Sequence, residues 1–235
     1  MASNWIADRS FSHFCNLHSD ARIGFDDKSK QQSDVKTSDT DKVSASALAV
    51  ARVAVDFTDT EKETQAFDTA PFFKDGVYTS STGQLPWKPG KNPMNGWISI
   101  NTPETKAVVG FAGGQTFELD EVTIAPKGKF GAIYVTAKKH GATLANSKIL
   151  LITALGRARN TGLKILDDRF LILPGTEGIL LEPVPATITL KRSGSPKVEL
   201  LGHDGCPIGK LLPDTNDTFT INGVEDKTPY YRVTY

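Results

Sequence analysis

Three stretches decide the fold: GWISINTPETKAVVGFAGGQTFELDEVTI (96–124), FGAIYVTAKKHGATLANSKILLITALGRARNTG (130–162) and ILLEPVPATITLKR (179–192). Each is a chain of short runs rich in Val, Ile and Thr, closed by Gly, Pro or Asn. Branched side chains favour the pleated backbone, and the closing residues favour turns. The pattern predicts strands at Trp97–Asn101, Ala107–Phe111, Thr116–Ile124, Phe130–Lys138 and Lys148–Ala154. It continues with Phe170–Leu173, Ala186–Lys191, Lys197–Leu201, Thr218–Asn222 and Tyr230–Tyr235. Turns are expected at Gly113-Gly114, His140-Gly141, Asp204-Gly205 and Asn222-Gly223. Short strands at this spacing, with no interleaved helical period, predict an all-β antiparallel β-sandwich of jelly-roll or immunoglobulin-like type. In the last strand Tyr231, Val233 and Tyr235 share one face.

Working outward, residues 1–46 read as a polar N-terminal arm or linker with little structure, and 47–235 as the sandwich domain. The segment DDKSKQQSDVKTSDTDKVSAS (26–46) has no apolar period. ALAVARVAVDF (47–57) is expected as a strand, because Val53, Val55 and Phe57 alternate. Glu61–Phe73 fits a short helix or an irregular connection, and GVYTSSTGQLPW (76–87) a strand running into a turn.

Composition narrows the partners. Lys plus Arg and Asp plus Glu are 27 each, and hydrophobic residues make up 39%. The chain can therefore fill a core, and it lacks the basic footprint of a nucleic-acid binder. No basic-then-apolar leader is evident at the N-terminus, and the longest apolar runs, such as Ile149–Leu155, are too short to cross a bilayer as a helix. No membrane partner is expected. Cys15 and Cys206 lie at opposite ends of the sequence, so their pairing is open.

Glycoside hydrolysis needs two carboxylates. Glu118 and Asp120, at alternate positions of the Thr116–Ile124 strand, are the candidate catalytic pair, although a solvated strand face has the same pattern. Asp167, Asp168 and Glu182 offer no clear partner. Aromatic rings that could stack on sugar are Trp87, in a loop between prolines, with Trp97 and Tyr78; core packing is the alternative for all three. His13, Cys15, His18 and Asp20 are residue types zinc accepts, but at no established spacing. Asp214, Asn216 and Asp217 could hold a structural calcium, or simply form a turn. No metal or cofactor is assigned. Arg157 and Arg159 are candidates to grip an anion, with a solvated edge as the alternative. GFAGG (110–114) matches no phosphate-binding loop, and no G-x-S-x-G elbow is present.

Five blocks in order, STGQLPW (81–87), ISINTPETKAVVGF (98–111), KILLITALGRARNTG (148–162), LLEPVPATITLKR (180–192) and TPYYRVTY (228–235), resemble the C-terminal β-sandwich portion of large bacterial glycoside hydrolases. The barrel that carries the catalytic carboxylates of such enzymes has no counterpart here, since a (β/α)-barrel takes about 200 residues or more. The resemblance implies an accessory module that supports a glycosidase catalytic domain or weakly binds polysaccharide, in an extracellular setting. The alternatives are a small β-sandwich glycosidase and a structural interaction domain.

Overall fold

A computed structural model describes residues 45–53, 66–90, 95–166, 170–212 and 217–235. The protein is an antiparallel, sandwich-like β structure with little helix, and it divides into two compact units, Met1–Pro89 and Gly90–Tyr235. Residues 1–44 of the expected N-terminal arm lie outside the described residues, and its last two begin a helix.

In the first unit, α1 (Ala45–Val50) replaces the strand expected from residue 47. Its Ala-rich start wins over the Val-rich end: Ala47 and Val50, one turn apart, are both buried, and Ala51 N–H donates to the Ala47 carbonyl. Residues 54–57 of that expected strand lie outside the described residues. After a 3-10 turn at Ala70–Phe72 come β1 (Phe73–Lys74), β2 (Val77–Thr79) and β3 (Pro86–Lys88), paired antiparallel in that order. Asp75 and Gly76 both have positive φ, the conformation that a two-residue hairpin demands.

The second unit begins with β4 (Trp97–Asn101), β5 (Thr105–Gly110), β6 (Phe117–Glu118), β7 (Val122–Pro126), β8 (Gly131–Ala137) and β9 (Ile149–Leu155). Four strands form an excursion: β10 (Ala158–Thr161), β11 (Lys164–Leu166), β12 (Phe170–Leu173) and β13 (Thr176–Leu181). Then come β14 (Ala186–Leu190), β15 (Lys197–Leu201), β16 (Pro207–Leu211), β17 (Thr218–Ile221), the one-turn helix α2 (Gly223–Asp226) and β18 (Tyr230–Thr234). One sheet runs β4-β5-β8-β9-β18-β15-β16, the other β17-β14-β7-β6, and neither closes into a barrel.

The core lies between these sheets because burial alternates along β7, β8 and β14. Ile133 and Ile152 from the first sheet meet Ile124, Ile188 and Ile221 from the second, all fully buried. Each contributes about 1.5–3 kcal/mol over its exposed state. Tyr231 and Val233 point into this core and Tyr235 packs at its margin, as the alternation in β18 predicts.

Two expectations need correction. Thr116–Ile124 is a hairpin: β6 and β7 pair Phe117↔Ile124 and Glu118↔Thr123, and the chain reverses at Asp120-Glu121. Asn222-Gly223 starts a helix instead of a turn, because the Asn222 side chain accepts the Val224 N–H as an N-cap.

Candidate functional site

The hairpin changes the geometry of the expected carboxylate pair. Glu118 sits on β6 and Asp120 in the following turn, so the alternate-position argument no longer places them on one strand face. Glu118 Oε2 accepts from Thr123 Oγ1 and lies 2.7 Å from Lys191 Nζ. The Lys191 and Thr123 bonds hold its carboxyl below the usual range. Asp120 is also lowered, chiefly by its bond with Asn101, with the Lys106 charge adding to it. Both carboxyls thus lean to the ionised form, whereas the general acid of a glycosidase has a raised pKa.

Beneath this turn lies a residue that escaped the sequence reading. Lys106 on β5 is 1% exposed, with Nζ 2.7 Å from Glu121 and 3.5 Å from Asp120. It shares a strand face with Val108, and it ties the first sheet to the β6–β7 turn.

The sugar-stacking candidates are brought together only in part. Trp87 is half-buried on β3, not in a loop, because its strand pairs with β2 in register Tyr78↔Trp87. Their rings stand 5.5 Å apart at 24°, and Phe73 follows Tyr78 at 4.5 Å. Trp87 and Tyr78 are offset-stacked and Phe73 is tilted on Tyr78, so one face of Trp87 is taken up by Tyr78. Trp97 opens β4 in the other unit and packs edge-on against Phe117, 4.9 Å away, at the core margin.

His13, Cys15, His18, Asp20, Asp167, Asp168, Asp214 and Asn216 lie outside the described residues. Asp217 is described and has a positive φ, its carbonyl accepting Leu190 N–H. Among the described residues no group of His, Cys, Asp and Glu converges as a metal site. Cys206 is an exposed thiol.

The feature with the clearest surface chemistry is the excursion between β9 and β14. β10 pairs with β13 and β11 with β12, forming a two-stranded arm. Its side chains Ile165, Leu171, Ile172, Leu173, Ile179, Leu180 and Leu181 are exposed, Ile179 by 69% and Leu171 by 63%. Large exposed apolar patches are a common feature of interaction surfaces. The signal was present as FLILPG and GILLEP, apolar runs without the alternation of a half-buried strand.

The base of the arm is built tightly. Glu182 N–H donates to the Arg157 carbonyl, and Arg157 Nε approaches Glu182 Oε2 to 2.6 Å. Arg157, placed at a solvated edge by its sequence, thus closes a clamp, and Glu182 is not isolated. A Cβ on Gly156 would stand 2.4 Å from the Glu182 carbonyl oxygen. Gly156→Ala is therefore expected to lower stability by about 1–3 kcal/mol, read as a shifted denaturant midpoint. Beside the base, a groove of about 250 Å³ runs between Ile179–Val184 and Lys227–Pro229, with His203 on its wall.

The clamp also sets an acid response. The Arg157 guanidinium holds the Glu182 carboxyl below the usual range. A depressed folded-state pKa adds stability above the ordinary carboxylate pKa, about 4.3. That contribution is lost as pH falls through the folded value. Limited proteolysis at the arm is expected to quicken below about pH 4 in the wild type. Both side chains are largely exposed, so the change is small, and Glu182→Gln should remove its acid-dependent part.

No protein-family model, no curated protein and no solved structure matches this chain.

Proposed function

We propose that the chain is a non-catalytic accessory β-sandwich module of the glycoside-hydrolase type, which supports a catalytic domain by docking against it through the arm. The observation that carries this reading is the exposure of Ile165, Leu171, Ile172 and Leu173 on β11 and β12, strands that add nothing to the sandwich core. The five sequence blocks supply the class of partner. The lowered pKa values of Glu118 and Asp120 weigh against the small-glycosidase alternative. Weak polysaccharide binding is a second reading, favoured by Phe73, which is exposed at the end of the aromatic row.

The test mixes the chain with a separately produced barrel domain of a glycosidase of the resembling type. A polysaccharide panel, scored for retention and for release of reducing sugar, runs beside it. A complex with the barrel that disappears in Leu171→Lys/Leu173→Lys is expected. Retention on polysaccharide that is lost in Phe73→Ala, without any barrel complex, would replace docking by sugar binding. Sugar release abolished by Glu118→Gln/Asp120→Asn would overturn both.

A further inference from the structure

The arm has a backbone feature distinct from its apolar faces. β13 pairs with β10 on one side, and among the described residues no strand pairs with its other side. Which groups face that open side follows from the ladder. Glu182 N–H donates to the Arg157 carbonyl, so these two residues form a hydrogen-bonded pair. The register continues Ala158↔Leu181, Arg159↔Leu180, Asn160↔Ile179. In an antiparallel ladder hydrogen-bonded and non-hydrogen-bonded pairs alternate. Leu180 therefore bonds inward to Arg159, while Ile179 and Leu181 direct their N–H and C=O groups outward.

We infer that β13 pairs edge to edge with β13 of a second copy of this chain, about a two-fold axis passing through Leu180. With that axis, Ile179 of each copy faces Leu181 of the other. Both pairs exchange N–H···O bonds, giving four across the interface. The two Leu180 residues then meet as a non-hydrogen-bonded pair, where opposing side chains come closest. The geometry is self-complementary, as a two-fold contact must be.

Comparison with β16, an edge of the main sheet, supports this choice of occupant. β16 (PIGKL) carries Pro207 and Lys210, the residues that block strand addition at sheet edges. β13 carries only Glu177 as a charge, and none between Ile179 and Leu181. The two-stranded arm is also marginal by itself, and a further strand pair is what such a ribbon lacks. The contact is small. Ile179, Leu180 and Leu181 expose on the order of 300 Å² per copy. A standard interface takes about 800 Å² from each partner, so this is a weak, concentration-dependent dimer. Pairing occupies the edge of β13 and leaves β11 and β12 free for the docking proposed above, so each claim can fail without the other.

Sedimentation equilibrium of the full chain from about 1 µM to about 1 mM tests it. A monomer–dimer equilibrium is expected. Ile179→Pro removes an outward N–H that the arm's own ladder does not use, so the arm should persist while dimer affinity falls about tenfold or more. Leu211→Lys, at an exposed apolar residue on β16, should leave the dimer intact. In a Cys15→Ser/Cys206→Ser background, Leu180→Cys should cross-link to itself under mild oxidation. The expected Cα separation of about 4.5 Å lies within disulfide reach. Leu171→Cys should not cross-link. A monomer at the highest concentration, a dimer indifferent to Ile179→Pro, or cross-linking at Leu171 instead of Leu180 would overturn the inference.

Discussion

Tyr231→Ala is expected to lower unfolding stability by about 3–5 kcal/mol, enough to unfold much of a marginal domain. Tyr231 is among the largest fully buried side chains and sits mid-sheet, paired with Ile152 on β9 and Leu200 on β15. Truncation removes a ring from the core and opens a cavity that flanking strands cannot collapse to fill. A second loss follows at the hydroxyl, which donates to Asp226 Oδ2 at 2.7 Å, while the Asn222 N–H donates to the same oxygen at 2.8 Å. Burial and the Asp226 carboxylate push the hydroxyl far above its usual pKa, so it remains a donor throughout the accessible pH range. Tyr231→Phe isolates this part: about 1.5–3 kcal/mol for a bond to a charged acceptor, with the ring retained. Chemical denaturation of the two variants gives both numbers. If Tyr231→Phe cost as much as Tyr231→Ala, the hydroxyl and not the ring would dominate.

Lys106→Ala is the second large effect, at about 2–3 kcal/mol, below the usual cost of breaking a buried ion pair because Glu121 keeps a quarter of its side chain in water. The substitution strands Glu121 and leaves a void beneath the β6–β7 turn. Lys106→Met/Glu121→Gln should recover most of the loss, since a buried pair replaced on both sides is close to neutral. A double-mutant cycle measures the coupling, and a coupling near zero would mean that the two side chains act independently.

The sandwich was legible because its strands are half-buried. β8 buries every second residue, and that alternation is written in GAIYVTA itself. The carboxylate hairpin was not, because its turn, Asp120-Glu121, contains no Gly, Pro or Asn. Its geometry depends on Lys106, 14 residues away in sequence from Asp120. α1 was missed because Val53, Val55 and Phe57 outweighed the alanines in a window that spans two kinds of structure. Trp87 looked exposed between prolines, yet Pro86 is a β3 residue opposite Thr79, and the strand carries Trp87 onto Tyr78. The arm was hidden for a different reason. Periodicity shows that FLIL and GILL are apolar but cannot say whether the surface covering them belongs to this chain.

Amide hydrogen exchange across β11 and β12, with and without the glycosidase barrel domain, tests the docking account most directly. Alone, these strands should exchange fast compared with β8 and β9, because Ile165, Leu171, Ile172 and Leu173 are exposed on a two-stranded ribbon. With the barrel present their exchange should slow by tenfold or more, while β8 and β9 stay unchanged. Exchange in β11 and β12 that is already as slow as in β8 and β9, and indifferent to the barrel, would contradict it.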